Sequence, residues 1–171
     1  IYDTQKATST AVTSEWHSSS SPAFSEDGKY LFFVSDRDFN PIYSATEWNH
    51  AYVEMSRIYM LTLAKGTPSP FALVNDEVTV KEEPAAAPAK KEEKKEEKPA
   101  ASNAVVIDFD GIADRIIALP VRSSYYRNLQ SVGKRLYYNE FSQRERKGYL
   151  KMFDLEKKKE TEIGEFGGYE I

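Results

Sequence analysis

The sequence predicts an all-β fold built from repeated units of four short antiparallel strands. Its 171 residues include eleven Tyr, nine Phe and two Trp, and aromatic residues favour strands over helices. An Asp27-Gly28 pair precedes the aromatic and β-branched run 30–34, which is the pattern of a β-hairpin with a tight turn. Segments of this kind recur in the same order along the chain, as they do in repeat architectures.

The hairpin around Asp27-Gly28 is the best-defined element of the sequence. Residues 22–24 predict its first strand and residues 30–34 its second. Because residues 30–34 are apolar at every position, both faces of that strand should be covered, as when sheets stack on one another. The polar Ser35-Asp36-Arg37 that follows marks the end of the strand.

Further strands are predicted on both sides of this hairpin, separated by Gly and Pro punctuation. In chain order they are expected at residues 1–3, 10–13, 57–63, 105–107, 115–121, 125–132, 136–141 and 149–155. Gly164, Gly167 and Gly168 are interpreted as turn residues near the end of the chain.

Two stretches of the sequence do not fit a regular repeat. Residues 36–56 contain four aromatics and are interpreted as a packed loop rather than a loose linker. Residues 81–98 hold six Lys, six Glu and no apolar residue larger than Ala, so they cannot bury a core. We expect a disordered or transiently helical charged insertion over 77–104, with a specific docking role as the alternative.

The internal repeat predicts the architecture. Residues 28–33 match 133–138, and residues 58–63 match 150–155. Each complete unit would contain four antiparallel strands, labelled A to D, and without the two irregular stretches it has the length of a β-propeller blade. A plain antiparallel sandwich is the alternative.

A third, partial copy of the repeat opens the chain, so the chain starts inside a unit. We therefore predict an incomplete propeller divided into the end of a preceding blade at 1–20, a blade at 21–121, and a following blade with the start of the next at 122–171. The first residue is Ile1 rather than Met, and we expect the chain to be cut from something longer.

Composition excludes several functional classes. The net charge is -4 and the pI is about 5.4, which offers no basic surface for a phosphate backbone, so no nucleic acid is expected as a partner. No apolar stretch is long enough to suggest a membrane span. The sequence has no Cys, which rules out a disulfide, a thiol nucleophile or a thiolate metal site.

The repeat motif also carries a family resemblance. Residues 22–29 and 33–37 resemble the repeat of TolB-type and tricorn-type propellers, written around P-x-[WF]-S-P-D-G-K and S-D-R, with Glu26 in place of the common Pro. Residues 38–41 leading to 47–49, joined with 107–112, Arg115 and 119–121, resemble more narrowly the bacterial members of the tricorn family. The resemblance covers nearly the whole chain except the charged insertion.

The resemblance implies a function that the residues alone do not. Tricorn-type proteins carry two β-propellers ahead of a PDZ domain and a serine peptidase centre, and their propellers are thought to channel peptides. For this chain, the resemblance implies a non-catalytic propeller portion that channels or selects peptide substrates for a site outside the chain. The alternative is a TolB-like propeller module for protein–protein interaction.

The same resemblance implies partners and a compartment. The expected partners are peptide substrates, the remaining blades and the PDZ and peptidase domains of the same protein, and a homo-oligomer is left open. A periplasmic or exported location is an expectation, with the cytoplasm also open.

The sequence contains little that indicates catalytic chemistry. The two histidines, His17 and His50, lie in a serine-rich connection and among aromatics, without a nucleophile-elbow pattern. Asp108 and Asp110 are interpreted as shaping a turn, because the rest of a calcium loop is lacking. No catalytic residue, metal site or cofactor is therefore predicted, and whether the chain is part of an enzyme rests on the resemblance alone.

Strand alternation predicts which segments share one end of a blade. Residues 16–18, 36–56 and 125–127 should gather at one end, while Asp27-Gly28 and the charged insertion should lie at the other. If strand A lines the channel, as the resemblance implies, the first group borders its mouth. Five substrate-channel residues are proposed on this basis: Arg37, Arg57, Arg127, His17 and Trp48. The alternative is that the aromatic residues at this end merely seal one blade against the next.

Overall fold

The computed structural model describes residues 1–38, 41–43, 50–72, 105–143 and 145–166. Within these ranges the chain is almost entirely antiparallel β-structure. In chain order the strands are β1 (Tyr2–Asp3), β2 (Thr8–Ser9), β3 (Ser19–Phe24), β4 (Tyr30–Ser35), β5 (Pro41–Tyr43), β6 (His50–Tyr52), β7 (Arg57–Thr62), β8 (Ile116–Ala118), β9 (Tyr125–Val132), β10 (Arg135–Ser142), β11 (Lys147–Asp154) and β12 (Lys159–Glu165). A 3-10 helix, Ile112–Arg115, leads into β8.

The strands form two four-stranded sheets and two small hairpins. The first sheet has the order β3-β4-β7-β8 and the second the order β9-β10-β11-β12, with every neighbouring pair antiparallel. Strand β1 pairs with β2, and β5 pairs with β6. The predicted all-β fold of four-stranded antiparallel units is confirmed, and the chain boundaries drawn between units stay a prediction.

The main core lies between the two sheets. Phe32 and Val34 of β4 are buried against the second sheet, where Leu136, Tyr138 and Phe153 are also buried. The ring of Tyr126 meets that of Tyr138 edge-on at 5.5 Å between centroids, a geometry that aromatic pairs prefer.

A second core covers the other face of the first sheet. Leu31 and Phe33 alternate with the residues that face the main core, and they pack with Leu61 and Leu63. Ile1 and Val12 from the start of the chain lie against this cluster. Burial on both faces, expected from the continuous apolar run 30–34, is therefore confirmed, since Leu31 to Val34 are all at most 5% exposed.

The first strand of each sheet contains a β-bulge. The pairing of β3 with β4 shifts between Ser20 and Ala23, opposite Phe33. The pairing of β9 with β10 shifts opposite Tyr138, which corresponds to Phe33 in the repeat. Strand β9 lies against the first sheet chiefly through β3, so the two bulged strands are neighbours.

Arg115 closes the long connection between β7 and β8. Its guanidinium donates to four backbone carbonyls: Thr62 at 2.9 Å, Leu63 at 3.1 Å, Asp110 at 3.0 Å, and Asp108. The backbone N–H of Asp108 donates to the carbonyl of Leu63 at 3.0 Å. These bonds bring the two ends of the connection together, whereas the charged insertion predicted at 77–104 lies outside the described residues.

The turns between first and second strands gather at one end of the sheets, which we call the turn end. Gly28 and Gly133 occupy these two turns with φ of 67° and 57°, a conformation that favours glycine. Val105 lies against Gly28, so the chain returns from the insertion at this end. Glu26, the residue that departs from the family motif, accepts a hydrogen bond from the Gly133 N–H at 2.6 Å.

Several strand predictions need correction. Residues 105–107 form no strand in the structure. Val105 lies against Gly28 of the hairpin turn, and Ile107 packs on the second core. Strand β8 is limited to Ile116–Ala118, since Arg115 belongs to the 3-10 helix. The second short strand is Thr8–Ser9 rather than 10–13, because Tyr2 and Asp3 pair with those residues.

Three strands were not predicted, namely β12, β5 and β6. Lys159–Glu165 pairs with β11, so Gly164 lies in a strand and not in a turn. Residues 36–56, interpreted as a packed loop, contain the hairpin of β5 and β6. Gly167 and Gly168 lie outside the described residues.

Candidate functional site

The end of the sheets opposite the turn end, which we call the rim, carries most of the proposed site residues. Here β3 and β9 begin, β4 ends and β7 begins. The rim comprises His17, Asp36, Arg37, Asp38, Glu54, Ser56, Arg57, Ser123, Tyr125 and Gln143.

A serine and aspartate corner anchors the chain where it leaves β4. The Ser35 hydroxyl donates to the Ser18 carbonyl at 2.9 Å, and the Asp36 N–H donates to the same carbonyl at 3.1 Å. The Ser56 hydroxyl donates to the Asp36 carboxylate at 2.5 Å. The corner therefore joins the starts of β3 and β7 to the end of β4.

Asp38 connects this corner to the linker between the sheets. Its carboxylate forms an ion pair with Arg57 at 2.7 Å and accepts a hydrogen bond from the Ser123 hydroxyl. Arg57 Nη2 also donates to Ser123 at 3.3 Å. Because Ser123 immediately precedes β9, the ion pair fixes the base of the 36–56 connection to the entry of the second sheet.

Arg37 lies over two aromatic rings. Its guanidinium carbon is 5.7 Å from the centroid of Phe33 and 5.0 Å from that of Tyr59, within the range of cation–π attraction. Its Nε donates to Ser35 at 3.2 Å. Burial, followed by the charge of Asp38, raises the pKa of the Tyr59 phenol, so this hydroxyl stays protonated at neutral pH.

Hydrogen bonds also connect the two sheets across the rim. The backbone N–H of Gln143 donates to Glu54 at 3.3 Å, and the Tyr125 hydroxyl donates to the Gln143 side chain at 3.2 Å. The rim is therefore a continuous polar surface that spans both sheets.

A buried ionic network supports the rim from inside. The side chain of Glu140 is completely buried and pairs with Lys151 and Arg122. Burial alone would raise the pKa of Glu140, but the hydrogen bonds and charges of Lys151 and Arg122 outweigh it and hold the pKa below its usual value. Glu140 is therefore ionised at neutral pH, as a paired buried carboxylate must be.

The rim carries no assembled hydrolytic centre among the described residues. His17 Nδ1 lies 3.2 Å from the backbone carbonyl of Asp36, whereas a catalytic histidine would face a nucleophile. In the described ranges, no group of three or more His, Cys, Asp or Glu side chains is placed to hold a metal ion. No helix in those ranges is long and apolar enough to cross a membrane.

Comparison with known proteins identifies the family. The family model described as the tricorn protease second beta propeller domain matches residues 1–171. The chain belongs to this tricorn propeller family.

Curated relatives agree with the family match. Tricorn protease homolog 1 of Streptomyces coelicolor is 40% identical over 115 residues, which is 65% of this chain and 10% of the relative. Putative tricorn protease homolog 2 of the same organism is 34% identical over 121 residues, 71% of this chain and 10% of the relative. The chain spans about a tenth of the length of these relatives.

A solved structure supports the fold. The crystal structure of the tricorn protease matches 96% of this chain and 15% of that chain, with a TM-score of 0.67 and 21% sequence identity. The observed sheets therefore have the arrangement of a tricorn propeller.

In this tricorn propeller chain, the five proposed channel residues differ in how far other groups already engage their side chains. Arg57 is held by Asp38 and Ser123, and Arg37 is stacked on aromatic rings, so part of each guanidinium is already engaged. His17 is exposed at the rim, and Arg127 is exposed on β9. Trp48 lies outside the described residues.

Sequence reasoning missed the contacts that hold the rim together. Asp38 and Ser123 are 85 residues apart, and Glu54 and Gln143 are 89 apart. No local pattern connects such pairs. The only available signal was the family motif around 35–38, which marked the corner without indicating its partners.

Proposed function

We propose that this chain is a non-catalytic part of the second propeller of a tricorn-like serine protease, and that it channels or selects peptides for a peptidase site elsewhere in that protein. The observation that carries the proposal is the position of β3 and β9. They are adjacent first strands of two neighbouring sheets, and first strands surround the central passage in a propeller.

The side chains on these strands suit a passage for peptides. Ser19, Ser20, Arg127 and Asn128 are exposed, and they offer small polar groups with one cation. Such a wall contacts a peptide without a deep specificity pocket, whereas a dedicated ligand site would enclose its ligand. Arg127 supplies the charge that favours acidic residues or a terminal carboxylate.

The described residues on either side of the insertion lie at the turn end, opposite the rim. The chain enters the insertion after Phe71, which packs against Phe153, and returns at Val105 beside Gly28. Both positions belong to the turn end. The insertion is thus attached away from the rim, and this placement supports the rim as the mouth of the passage. The family match does not favour the alternative of a TolB-like interaction module.

Single substitutions in the protease that contains this chain test the proposal. Arg127→Ala should change how cleavage depends on peptide length and charge, with kcat/KM for long acidic peptides reduced about three- to tenfold. Turnover of a short uncharged substrate should stay the same. Lys6→Ala is the matched control, because it removes an exposed cation outside the rim.

Two results would contradict the proposal. Loss of short-substrate turnover in a folded Arg127→Ala enzyme would place this residue in the chemistry itself. If Arg127→Ala and Lys6→Ala have the same kcat/KM for long acidic peptides, β9 does not contact the peptide.

A further inference from the structure

The two inner strands, β3 and β9, are edge strands. Within the described ranges each pairs on one side only, β3 with β4 and β9 with β10. An edge strand presents backbone N–H and C=O groups that an extended chain can pair with. A peptide moving along such an edge would be captured as an added strand, which is a common mode of peptide binding.

Both edges are interrupted at the same place in the repeat. The bulge in β3 lies opposite Phe33, and the bulge in β9 lies opposite the corresponding residue Tyr138. Ser21 in the first bulge has a φ of 51°, and Asn128 in the second has a φ of 54°. A positive φ at a residue other than glycine is uncommon, and its recurrence in both units marks the bulges as built features rather than irregularities.

Each strand carries a second obstacle beside its bulge. Pro22 follows Ser21 and has no backbone N–H to donate, and proline in a sheet is confined to edges and bulges. Arg127 precedes Asn128 and is exposed. Bulges, proline and charged side chains are the devices by which proteins prevent strand addition at an exposed edge.

We propose that the inner edges of this propeller are built to let extended peptides pass without pairing to the backbone, so that peptide contacts come from side chains alone. This inference rests on the proposed function and adds the manner of contact. Backbone pairing would hold every extended peptide regardless of its sequence and slow its movement. Contacts with side chains alone would let a peptide move quickly along the edge, and they would allow Arg127 to discriminate between peptides by their charge.

The first test uses the unaltered protease and needs no variant. One long peptide is compared with two versions that are N-methylated on alternate residues, in opposite phases, at positions away from the scissile bond. Strand addition uses the amides of alternate residues, so one of the two phases would remove every bond to the edge. We expect kcat/KM of both methylated peptides to stay within about twofold of the parent. A loss of about tenfold or more in either phase would overturn the inference.

The second test removes the obstacles from β3. Deleting Ser21 together with Pro22→Val should restore a regular edge, while Pro22→Val alone keeps the bulge and serves as the matched control. In the double change we expect KM for the long peptide to fall about fivefold and kcat to fall with it, because backbone bonds now retain the peptide. A folded double variant with the kinetics of the control would overturn the role of the bulge. If the variant fails to fold, the methylated peptides still decide.

A third measurement separates this inference from the proposed function. The chain has no Cys, so Arg127→Cys gives one site in this chain for a bulky maleimide. Labelling should slow cleavage of long peptides and leave the short substrate unaffected. Unchanged long-peptide cleavage would overturn the proposed function and this inference with it, whereas slowed cleavage combined with sensitivity to N-methylation would overturn the inference alone.

Discussion

Arg115→Ala tests how much Arg115 stabilises the first sheet by closing the connection between β7 and β8. The guanidinium donates to the carbonyls of Thr62, Leu63, Asp108 and Asp110. The bonds to Thr62, Leu63 and Asp108 are partly buried, and the one to Asp110 is exposed. Removing the side chain takes one donor from each of these carbonyls, and the Leu63 carbonyl keeps the N–H of Asp108.

The expected loss follows from the number of partly buried bonds. A hydrogen bond to a charged group contributes about 1.5–3 kcal/mol, and water can replace the donor at the exposed carbonyl of Asp110. Two to three bonds at the lower value give a loss of about 3–5 kcal/mol in the free energy of unfolding. Arg115→Lys keeps the charge but cannot reach four carbonyls in one plane, so about half of the loss should remain.

Two measurements check this expectation. Urea unfolding gives the change in stability, and native-state hydrogen exchange reports local opening at the N–H groups of Lys65 and Asp108, which donate to Asp108 Oδ2 and the Leu63 carbonyl. We expect both amides to exchange faster in Arg115→Ala. A loss below about 1 kcal/mol, with unchanged exchange at both amides, would refute the view that Arg115 closes the connection.

Three further outcomes are expected. Deleting residues 82–100 should change the free energy of unfolding by less than about 1 kcal/mol, because a solvated loop shortens at little cost; a loss above about 2 kcal/mol would show a docked element. Glu140→Gln should cost about 3 kcal/mol by leaving Lys151 and Arg122 short of a partner. Because folding lowers the pKa of Glu140 from its ordinary 4.5, its contribution is complete above that pH and lost as pH falls through the lowered pKa, so Glu140→Gln should flatten the acid limb of a stability–pH curve. The isolated 171-residue chain should bind hydrophobic dyes and self-associate, since apolar side chains such as Ile163 and Phe166 are about half exposed; cooperative unfolding of a compact monomer would contradict this.

Local patterns were sufficient to predict the interior of the sheets. The run 30–34 is apolar at every position, and the structure buries residues 31–34 in two clusters, with Tyr30 partly buried against the first. Because the repeat matches 28–33 to 133–138, it predicts a second hairpin of the same kind at 125–141, where strands β9 and β10 lie. In both hairpins the second strand contributes apolar residues to the core, and a run of apolar residues is directly visible in the sequence.

Exposed strands gave no comparable signal. Strand β12 reads Lys-Glu-Thr-Glu-Ile-Gly-Glu and is exposed along most of its length, so neither alternation nor a continuous apolar run marks it. It is held by backbone bonds to β11 at the outer edge of the sheet. Its Gly164 therefore suggested a turn, although the residue lies in a strand.

The rim could not be predicted for a different reason. Two of the contacts that join its sheets, Asp38 with Ser123 and Glu54 with Gln143, connect residues 85 and 89 apart in the chain. Polar residues on loops look alike in sequence whether or not they are paired. Arg57 illustrates the consequence. The sequence alone presents it as an isolated cation that could bind substrate, whereas in the structure its guanidinium contacts both Asp38 and Ser123.

The pairing of Arg57 with Asp38 bears on the peptide contacts that we propose. A peptide carboxylate that binds Arg57 must compete with Asp38, which also fixes the Ser123 linker, so recognition there would loosen the joint between the sheets. Arg127 is exposed on the inner strand β9, beside the bulge opposite Tyr138. Under the proposed function, we therefore expect charge selection along β9 rather than at the rim, because a substrate contact on β9 would leave the Asp38–Arg57 ion pair in place.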